Sequence, residues 1–223
     1  MVELNQDVHK LIGSQTAITA LANKDQARVL LISDSHGSYS SLGHIVRTFG
    51  KECDALIFCG DGVGDIATLI SNGKIDYEVA AAIPPVIAIV QGNNDSASYA
   101  VSSGERITAP QRQILNVCGK KILIVHGHRQ GVDFGYESLA FEAQMTECSI
   151  VVHGHTHIAY DGYFGENNEY RIINPGSCSR PRGGTPPGFA IMTVSKRYED
   201  TAFLKIEHTS AGASYKIFTP LGY

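Results

Sequence analysis

The sequence predicts an α/β domain, and three observations support this prediction. Short, continuously apolar runs of strand length recur along the 223-residue chain, segments with helical periodicity lie between several of them, and a cluster of Gly, Asp, Asn or His follows each run. Apolar strands that alternate with amphipathic helices are typical of a sheet covered on both faces. Because no linker, repeat or low-complexity tract divides the chain, we expect one domain over residues 1–223.

The first element is a predicted helical extension over residues 1–27. Apolar residues recur there at roughly helical spacing: Val8, Leu11, Ile12, Ile18 and Leu21. We expect this helix to pack against the body of the domain, and binding to a partner is the alternative.

The following segments predict the body of the domain. Core strands are predicted at residues 29–32, 55–59, 86–90, 122–125 and 150–152, and helices at residues 41–49, 66–70 and 136–145. After residue 157 few helical signals remain. Strands predicted at residues 170–173, 189–194 and 202–206 therefore indicate a second, more antiparallel sheet.

Composition excludes several classes of function. The net charge is −4 and the longest basic run is Lys120-Lys121, so no dedicated nucleic-acid-binding surface is expected. Five cysteines without a C-x-x-C pair predict reduced, mostly buried thiols. The N-terminal residues lack the features of a secretion signal, and the longest apolar run, residues 79–90, is too short to span a bilayer. We therefore expect a cytoplasmic protein that does not associate with membranes.

Polar clusters follow the five predicted core strands directly. They are Asp34-Ser35-His36, Gly60-Asp61-Gly62, Gly92-Asn93-Asn94-Asp95, His126-Gly127-His128 and His153-Gly154-His155-Thr156-His157. Each cluster alone is typical of an ordinary turn. In α/β sheets, however, ligands bind beyond the carboxyl ends of the strands, and residues two apart in an extended chain point to the same side. Five such clusters in one chain therefore predict a metal site.

The number of candidate ligands predicts two ions rather than one. The candidates are Asp34, His36, Asp61, Asn93, His126, His155 and His157. Seven ligands exceed what a single site uses while leaving room for substrate, and Asp61, from a central strand, is the natural bridge between two ions. Oxygen and imidazole donors suit first-row divalent ions. We expect Mn²⁺ first, with Ni²⁺, Fe²⁺ and Zn²⁺ as alternatives.

The ordered motifs D-x-H, G-D, G-N-x-D, H-G-H and G-H-T-H resemble those of the calcineurin-like metallophosphoesterases. The small YfcE-type phosphodiesterase branch is the most similar, and the metallophosphoesterase-fold subunit of retromer is related to it. The segments at residues 174–177 and 179–182 add to the resemblance, which runs from about residue 28 to the final strands. It implies a two-sheet α/β/β/α sandwich. It also implies that one ion is held by Asp34, His36 and His157, the other by Asn93, His126 and His155, and that Asp61 bridges them.

Together with the full ligand set, the resemblance implies hydrolysis of a small phosphodiester. A hydroxide bridging two ions about 3.5–4 Å apart would attack phosphorus in line, without a covalent enzyme intermediate.

The candidate catalytic residues are Asn94, Asp95 and His128. Asn94 stands where many relatives carry a His that protonates the leaving group, and an amide cannot act as an acid near neutral pH. His128 is the candidate replacement acid, and a supporting or surface histidine is the alternative. Asp95 is expected to orient its neighbours through hydrogen bonds. Asp65 is expected to cap a helix and His153 to point away from the ions.

Two alternative functions remain open at this point. A phosphomonoesterase such as a protein phosphatase usually has the missing His and longer loop insertions. A catalytically silent protein-binding scaffold, like the retromer subunit, would be marked by degraded ligands, and none of the seven positions is degraded. The natural substrate and the oligomeric state also remain open, and a homodimer through the N-terminal helix or an edge strand is one option.

Overall fold

The computed structural model of the chain describes residues 4–101, 104–209 and 212–222. The helices are Gln15–Asn23 (α1), Tyr39–Phe49 (α2), Val63–Ile75 (α3), Tyr77–Ala82 (α4) and Glu137–Met145 (α5). The strands of the first half are Gln26–Ile32 (β1), Ala55–Phe58 (β2), Val86–Ile89 (β3), Ser98–Ala100 (β4), Arg106–Thr108 (β5) and Arg112–Val117 (β6). Those of the second half are Lys120–Val125 (β7), Ile150–Val152 (β8), Ala159–Phe164 (β9), Tyr170–Pro175 (β10), Gly188–Ser195 (β11), Glu199–Thr209 (β12) and Gly212–Phe218 (β13).

Two mixed sheets form the centre of the domain. The first has the order β13-β12-β11-β1-β2-β3, with β1, β2 and β3 parallel and β11 to β13 antiparallel. The second has the order β6-β7-β8-β10-β9, with β7, β8 and β10 parallel and an antiparallel strand at each edge. The strands followed by polar clusters therefore come from both sheets, β1 to β3 from one and β7 and β8 from the other.

The packing of β1 shows how the layers are built. Leu30 and Ile32 belong to a core shared with helices α2, α3 and α4, whereas Val29 and Leu31 belong to a core shared with the second sheet. This division follows from the alternation of side chains along a strand. A third cluster packs the outer face of the second sheet against α5. The order of layers is helices, sheet, sheet and helix, which confirms the predicted α/β/β/α sandwich.

The prediction that residues 170–173, 189–194 and 202–206 together form a second, more antiparallel sheet is wrong. Strands β11 and β12 extend the first sheet from β1, whereas β10 pairs in parallel with β8 in the second sheet. The apolar pattern of a segment identifies a strand but does not specify which partner the strand will pair with.

The N-terminal helix is shorter than predicted. It begins after Ser14, whose Oγ accepts a hydrogen bond of 3.1 Å from the N–H of Ala17, and it ends at Asn23. Ile12 instead exchanges two backbone hydrogen bonds with Ile87 of β3, and Val8 is 86% exposed. Gly13, at φ +140°, separates these two parts of the segment. Within the described residues, no helix is both long enough and apolar enough to cross a membrane.

Candidate metal centre

Four donor side chains meet beyond the ends of β1, β2 and β8. The ligating atoms of Asp34, His36, Asp61 and His157 all lie within 4.8 Å of one another. His157 Nε2 is 3.3 Å from Asp34 Oδ1, and His36 Nε2 is 3.7 Å from Asp61 Oδ2. Asp34, Asp61 and His157 are buried, so three of the four donors are shielded from solvent.

A second group of donors meets around Asn93. Its Oδ1 lies 3.1 Å from His126 Nε2 and 3.0 Å from His155 Nδ1. The two groups share one atom, because Asp61 Oδ2 lies 3.6 Å from His126 Nε2 as well as 3.7 Å from His36 Nε2. The structure therefore brings all seven predicted ligands into one continuous cluster with Asp61 common to both groups.

The hydrogen bonds of the Asp34 carboxylate indicate whether the cluster suits a cation. Its Oδ2 accepts hydrogen bonds from Ser33 Oγ at 2.6 Å and from the N–H of His155 at 3.1 Å. Its Oδ1 is buried and accepts no hydrogen bond from any described residue. A buried carboxylate oxygen without a donor is unfavourable, and a cation in contact with it would remove that penalty. The donor set of carboxylate, amide and imidazole fits a first-row divalent ion.

Backbone carbonyls orient two of the donor histidines. His126 Nδ1 lies 2.6 Å from the carbonyl oxygen of Cys59, and His157 Nδ1 lies 2.6 Å from that of Arg180. Because a carbonyl can only accept, Nδ1 carries the proton in each ring, and in the neutral form Nε2 is left with its lone pair facing the cluster.

The chain beside Asp61 holds its carboxylate in place. Asn94 donates its backbone N–H to Asp61 Oδ1 at 2.8 Å and its side-chain amide to Asp61 Oδ2 at 2.5 Å. Burial acts to raise the pKa of Asp61, but these two bonds and the nearby His126 together hold that pKa below its ordinary value. Asp61 is thus kept ionised, which is the form that can ligate a cation.

Asp95 holds the backbone on both sides of this loop. Its carboxylate accepts hydrogen bonds from the backbone N–H groups of Asp61, Gly62, Val63 and Gly92, at 2.6 to 3.0 Å. These bonds fix the start of α3 and the backbone of Asp61. Asp95 was predicted to orient its neighbours through hydrogen bonds, and in the structure it does so by holding the backbone of this loop.

Five of the seven donors adopt a left-handed backbone conformation. The φ angles are 55° for Asp34, 47° for His36, 55° for Asp61, 70° for His155 and 60° for His157. This conformation is uncommon for residues other than Gly and persists where the surrounding structure enforces it, most often at functional sites. The sharp turns allow short loops to aim neighbouring side chains at one point.

The facing imidazoles of His36 and His157 have different proton affinities. Burial lowers the pKa of His36 below its ordinary value, although Asp61 and Asp34 oppose this effect. Burial also acts to lower the pKa of His157, but the negative charge of Asp34 and the carbonyl group of Arg180 outweigh it and raise that pKa. In the metal-free cluster, His157 therefore takes up a proton before His36.

Asn174, near the end of β10, and Ser177, just after it, support the ligand loops. Asn174 Nδ2 donates to the carbonyl oxygen of Gly154 and to Thr156 Oγ1, both at 2.9 Å. Ser177 Oγ donates to the carbonyl oxygen of Asp34 at 2.7 Å. This segment thus holds the loops after β1 and β8 together.

Three other predicted residues lie close to the cluster. The His128 ring centroid is 5.3 Å from that of His126 and 6.0 Å from that of His155, and burial lowers the pKa of His128.

The prediction that Asp65 caps a helix is wrong, because Asp65 lies inside the first turn of α3 and accepts hydrogen bonds from Ser35 Oγ and the Gly37 N–H. His153 is buried beside the ring of Tyr136, and burial lowers its pKa to about 4.

Sequence reasoning missed Asp133. This residue lies in the loop between His128 and α5, and its Oδ2 is 3.1 Å from His155 Nε2. A single Asp in a loop with several glycines is typical of a turn, so the sequence contained no signal for this contact. The carbonyl groups of Cys59 and Arg180 were missed for a similar reason, since a backbone group has no sequence signature.

Comparison with known proteins defines the class of protein. The profile of the calcineurin-like phosphoesterase superfamily domain matches residues 28–197, a range that contains all seven donors. The chain therefore belongs to the calcineurin-like phosphoesterase superfamily, as its motifs predict.

The relatives are small phosphoesterases. The chain is 29% identical to the probable metallophosphoesterase YsnB of Bacillus subtilis over 80% of this chain and 94% of YsnB. It is 28% identical to the phosphodiesterase YfcE of Escherichia coli K12 over 74% of this chain and 86% of YfcE. Among solved structures, Vacuolar Protein Sorting 29 of Cryptosporidium parvum has the same fold, with a TM-score of 0.60 at 18% identity, over 90% of this chain and all of that one.

Proposed function

We propose that this protein is a metal-dependent phosphodiesterase that hydrolyses a small phosphodiester at a centre of two divalent ions. The proposal rests on the position of Asp61 Oδ2. This atom lies 3.7 Å from His36 Nε2 in one group of donors and 3.6 Å from His126 Nε2 in the other. The relative named as a phosphodiesterase, YfcE, supports this choice of reaction.

The donors divide into two sets around Asp61. Asp34, His36 and His157 would hold one ion, and Asn93, His126 and His155 the other. When bound, two divalent ions supply Lewis-acid chemistry that makes water a better nucleophile and neutralises charge on the phosphoryl oxygens. We propose Mn²⁺ as the physiological ion.

The protein's own residues prepare this centre. Asn94 and Asp95 fix the carboxylate and the backbone of Asp61, so that its position does not change during the reaction. His128, beside His126 and His155, is our candidate for the group that donates a proton to the leaving alkoxide.

A cavity of about 310 Å³ adjoins the donor cluster and offers space for the leaving group. It is lined by His36, Gly37, Asp61, Gly62, Gly64, Asp65, Asn94, Asp95 and Tyr99. Three of these side chains are carboxylates, and none of the described lining residues is Lys or Arg. A diester carries one negative charge where a monoester dianion carries two, so this lining favours the diester.

A screen of metals against substrates tests the proposed activity. The apo-protein would be supplied with Mn²⁺, Ni²⁺, Fe²⁺ or Zn²⁺ and assayed on bis-p-nitrophenyl phosphate and p-nitrophenyl phosphate. We expect metal-dependent hydrolysis with a higher kcat/KM for the diester, and loss of this activity in Asp61→Ala. His44→Ala, in α2 and outside the donor set, should leave activity unchanged.

The outcomes separate the competing functions. A preference for the monoester would favour a phosphomonoesterase. Absence of hydrolysis with every metal would favour a protein-binding scaffold. Full activity in Asp61→Ala would overturn the proposed centre.

The five cysteines are buried and free, which supports our proposal of a reducing, cytoplasmic location.

A further inference from the structure

His155 differs from His126 and His157 in the hydrogen-bond partner of the ring nitrogen that points away from the other donors. His126 and His157 each donate to a backbone carbonyl, at Cys59 and Arg180. His155 instead faces a carboxylate, with its Nε2 3.1 Å from Asp133 Oδ2. Its side chain is 23% exposed and that of Asp133 is 51% exposed, whereas the side chain of His126 is fully buried. The position of His155 therefore depends on a surface loop.

The contact with Asp133 selects one tautomer of His155. Its Nδ1 lies 3.0 Å from Asn93 Oδ1, so the proton of the neutral ring has two oxygen atoms to which it can be donated. A carboxylate is the stronger acceptor, which places the proton on Nε2 and leaves the lone pair on Nδ1. The lone pair of Nδ1, that of His126 Nε2 and the oxygen Asn93 Oδ1 then face one another. Three electron-rich atoms at this spacing suit a cation.

The loop that carries Asp133 is built to hold it in place. Val132, the preceding residue, is buried in the core beneath α5, and its N–H donates to the carbonyl oxygen of Gly127 at 3.4 Å. The N–H of Phe134 donates to the carbonyl oxygen of Gly131 at 2.9 Å, which closes a turn around Asp133. Asp133 is exposed, but its backbone is fixed on both sides.

We propose that Asp133 is a positioning residue that sets the affinity of the ion bound by Asn93, His126 and His155. This inference rests on the proposed two-ion centre and goes beyond it, because it assigns control of one ion to one side chain. The other set needs no such residue, since Asp34 and His157 are buried and held by the protein interior. The ion beside His155 is therefore the one that binds second and leaves first.

Three variants test this role. Asp133→Ala removes both the charge and the acceptor, whereas Asp133→Asn removes the charge and keeps an oxygen that can accept from Nε2. Glu137→Gln, at the start of α5, removes another exposed negative charge without a described contact to the donors and serves as the matched control. Each apo-protein would be titrated with Mn²⁺ by calorimetry, and the ¹⁵N shifts of the His155 ring would report its tautomer without metal.

We expect two equivalents of Mn²⁺ in the wild-type protein. In Asp133→Ala one equivalent should weaken by about 10- to 100-fold while the other is unchanged, with a smaller loss in Asp133→Asn and none in Glu137→Gln. The metal-free His155 ring should lose its Nε2–H preference in Asp133→Ala.

Wild-type affinity for both equivalents in Asp133→Ala, or equal weakening of both, would overturn the inference. An unchanged tautomer would also overturn it. If the wild-type protein binds fewer than two ions, the proposed centre itself fails, whatever the variants do. If Asp133→Ala does not fold, Asp133→Asn carries the same test, because it should weaken one equivalent by a smaller factor and leave the other unchanged.

Discussion

His36 and His157 lie 121 residues apart in the sequence, and their Nε2 atoms face each other at 3.0 Å. The Nδ1 proton of His157 is committed to the carbonyl oxygen of Arg180, so in the neutral ring Nε2 presents a lone pair toward His36. Asp34 Oδ1, buried and without a hydrogen-bond donor among the described residues, lies 3.3 Å from the same nitrogen. The metal-free cluster thus concentrates electron-rich atoms in a buried place, and a cation would stabilise the folded state.

The first prediction is that divalent ions stabilise the fold. At a free concentration of 100 times Kd, binding to the native state adds about 2.7 kcal/mol to the free energy of unfolding. For a chain of this size, this corresponds to a rise in Tm of roughly 5–10 °C. Thermal unfolding in Mn²⁺ and in EDTA measures the difference. Asp34→Asn should fold and lose most of the shift. An equal shift in Asp34→Asn would argue against this site as the origin of the stabilisation.

The predictability of the fold differs between local and non-local features. The five strands predicted before residue 157 correspond to β1, β2, β3, β7 and β8 to within a few residues, because a buried strand requires a continuous apolar run that is visible in the sequence. Strands β4, β5 and β6, none of which is continuously buried, were not predicted. The sheet to which β10 or β11 belongs could not be predicted, since pairing depends on distant partners. The apolar spacing of Val8 suggested a buried helical face, but the change of conformation at Gly13 leaves Val8 exposed.

The candidate site was more predictable than the sheets around it. Its seven donors follow strand ends, so topology alone brings them to one edge of the sandwich. What could not be predicted is the support behind them. The carbonyl oxygen of Cys59 is a feature of the folded backbone, and Asp133 and Asp65 are acidic residues whose partners are set by loop conformation.

The second prediction concerns His128 as the proton donor. A general acid contributes most where the leaving group is a poor one, because an aryl oxide leaves without protonation. His128→Ala should therefore lower kcat by about 10²-fold for a diester with an alkyl leaving group and by much less for bis-p-nitrophenyl phosphate. Steady-state kinetics on the two substrates provide the comparison. An equal loss on both would mean that His128 supports the site without donating a proton.

The third prediction is a pH-dependent loss of stability that originates at His153. Burial lowers its pKa to about 4 in the folded protein, whereas an exposed histidine has a pKa near 6.5. Between these values the unfolded state binds a proton that the folded state does not, so stability falls as the pH falls from about 6.5 to 4. The full effect is on the order of 3 kcal/mol. Urea unfolding of metal-free protein should therefore show a steeper decline in the wild type than in His153→Leu. Parallel curves would contradict the assignment.

The fourth prediction uses the close approach of Gly92 to Asp61. A Cβ atom on Gly92 would clash with Asp61 Oδ1 and with the Asp61 backbone nitrogen, so Gly92→Ala must displace the Asp61 carboxylate. Overpacking of this kind lowers stability by about 1–3 kcal/mol, and we expect metal-dependent hydrolysis and Mn²⁺ binding to fall much further than stability does. Gly43→Ala in α2 is the control, since its Cβ would meet the flexible Arg47 guanidinium at 3.3 Å. Wild-type Mn²⁺ binding in Gly92→Ala would show that Asp61 is not held where the site requires it.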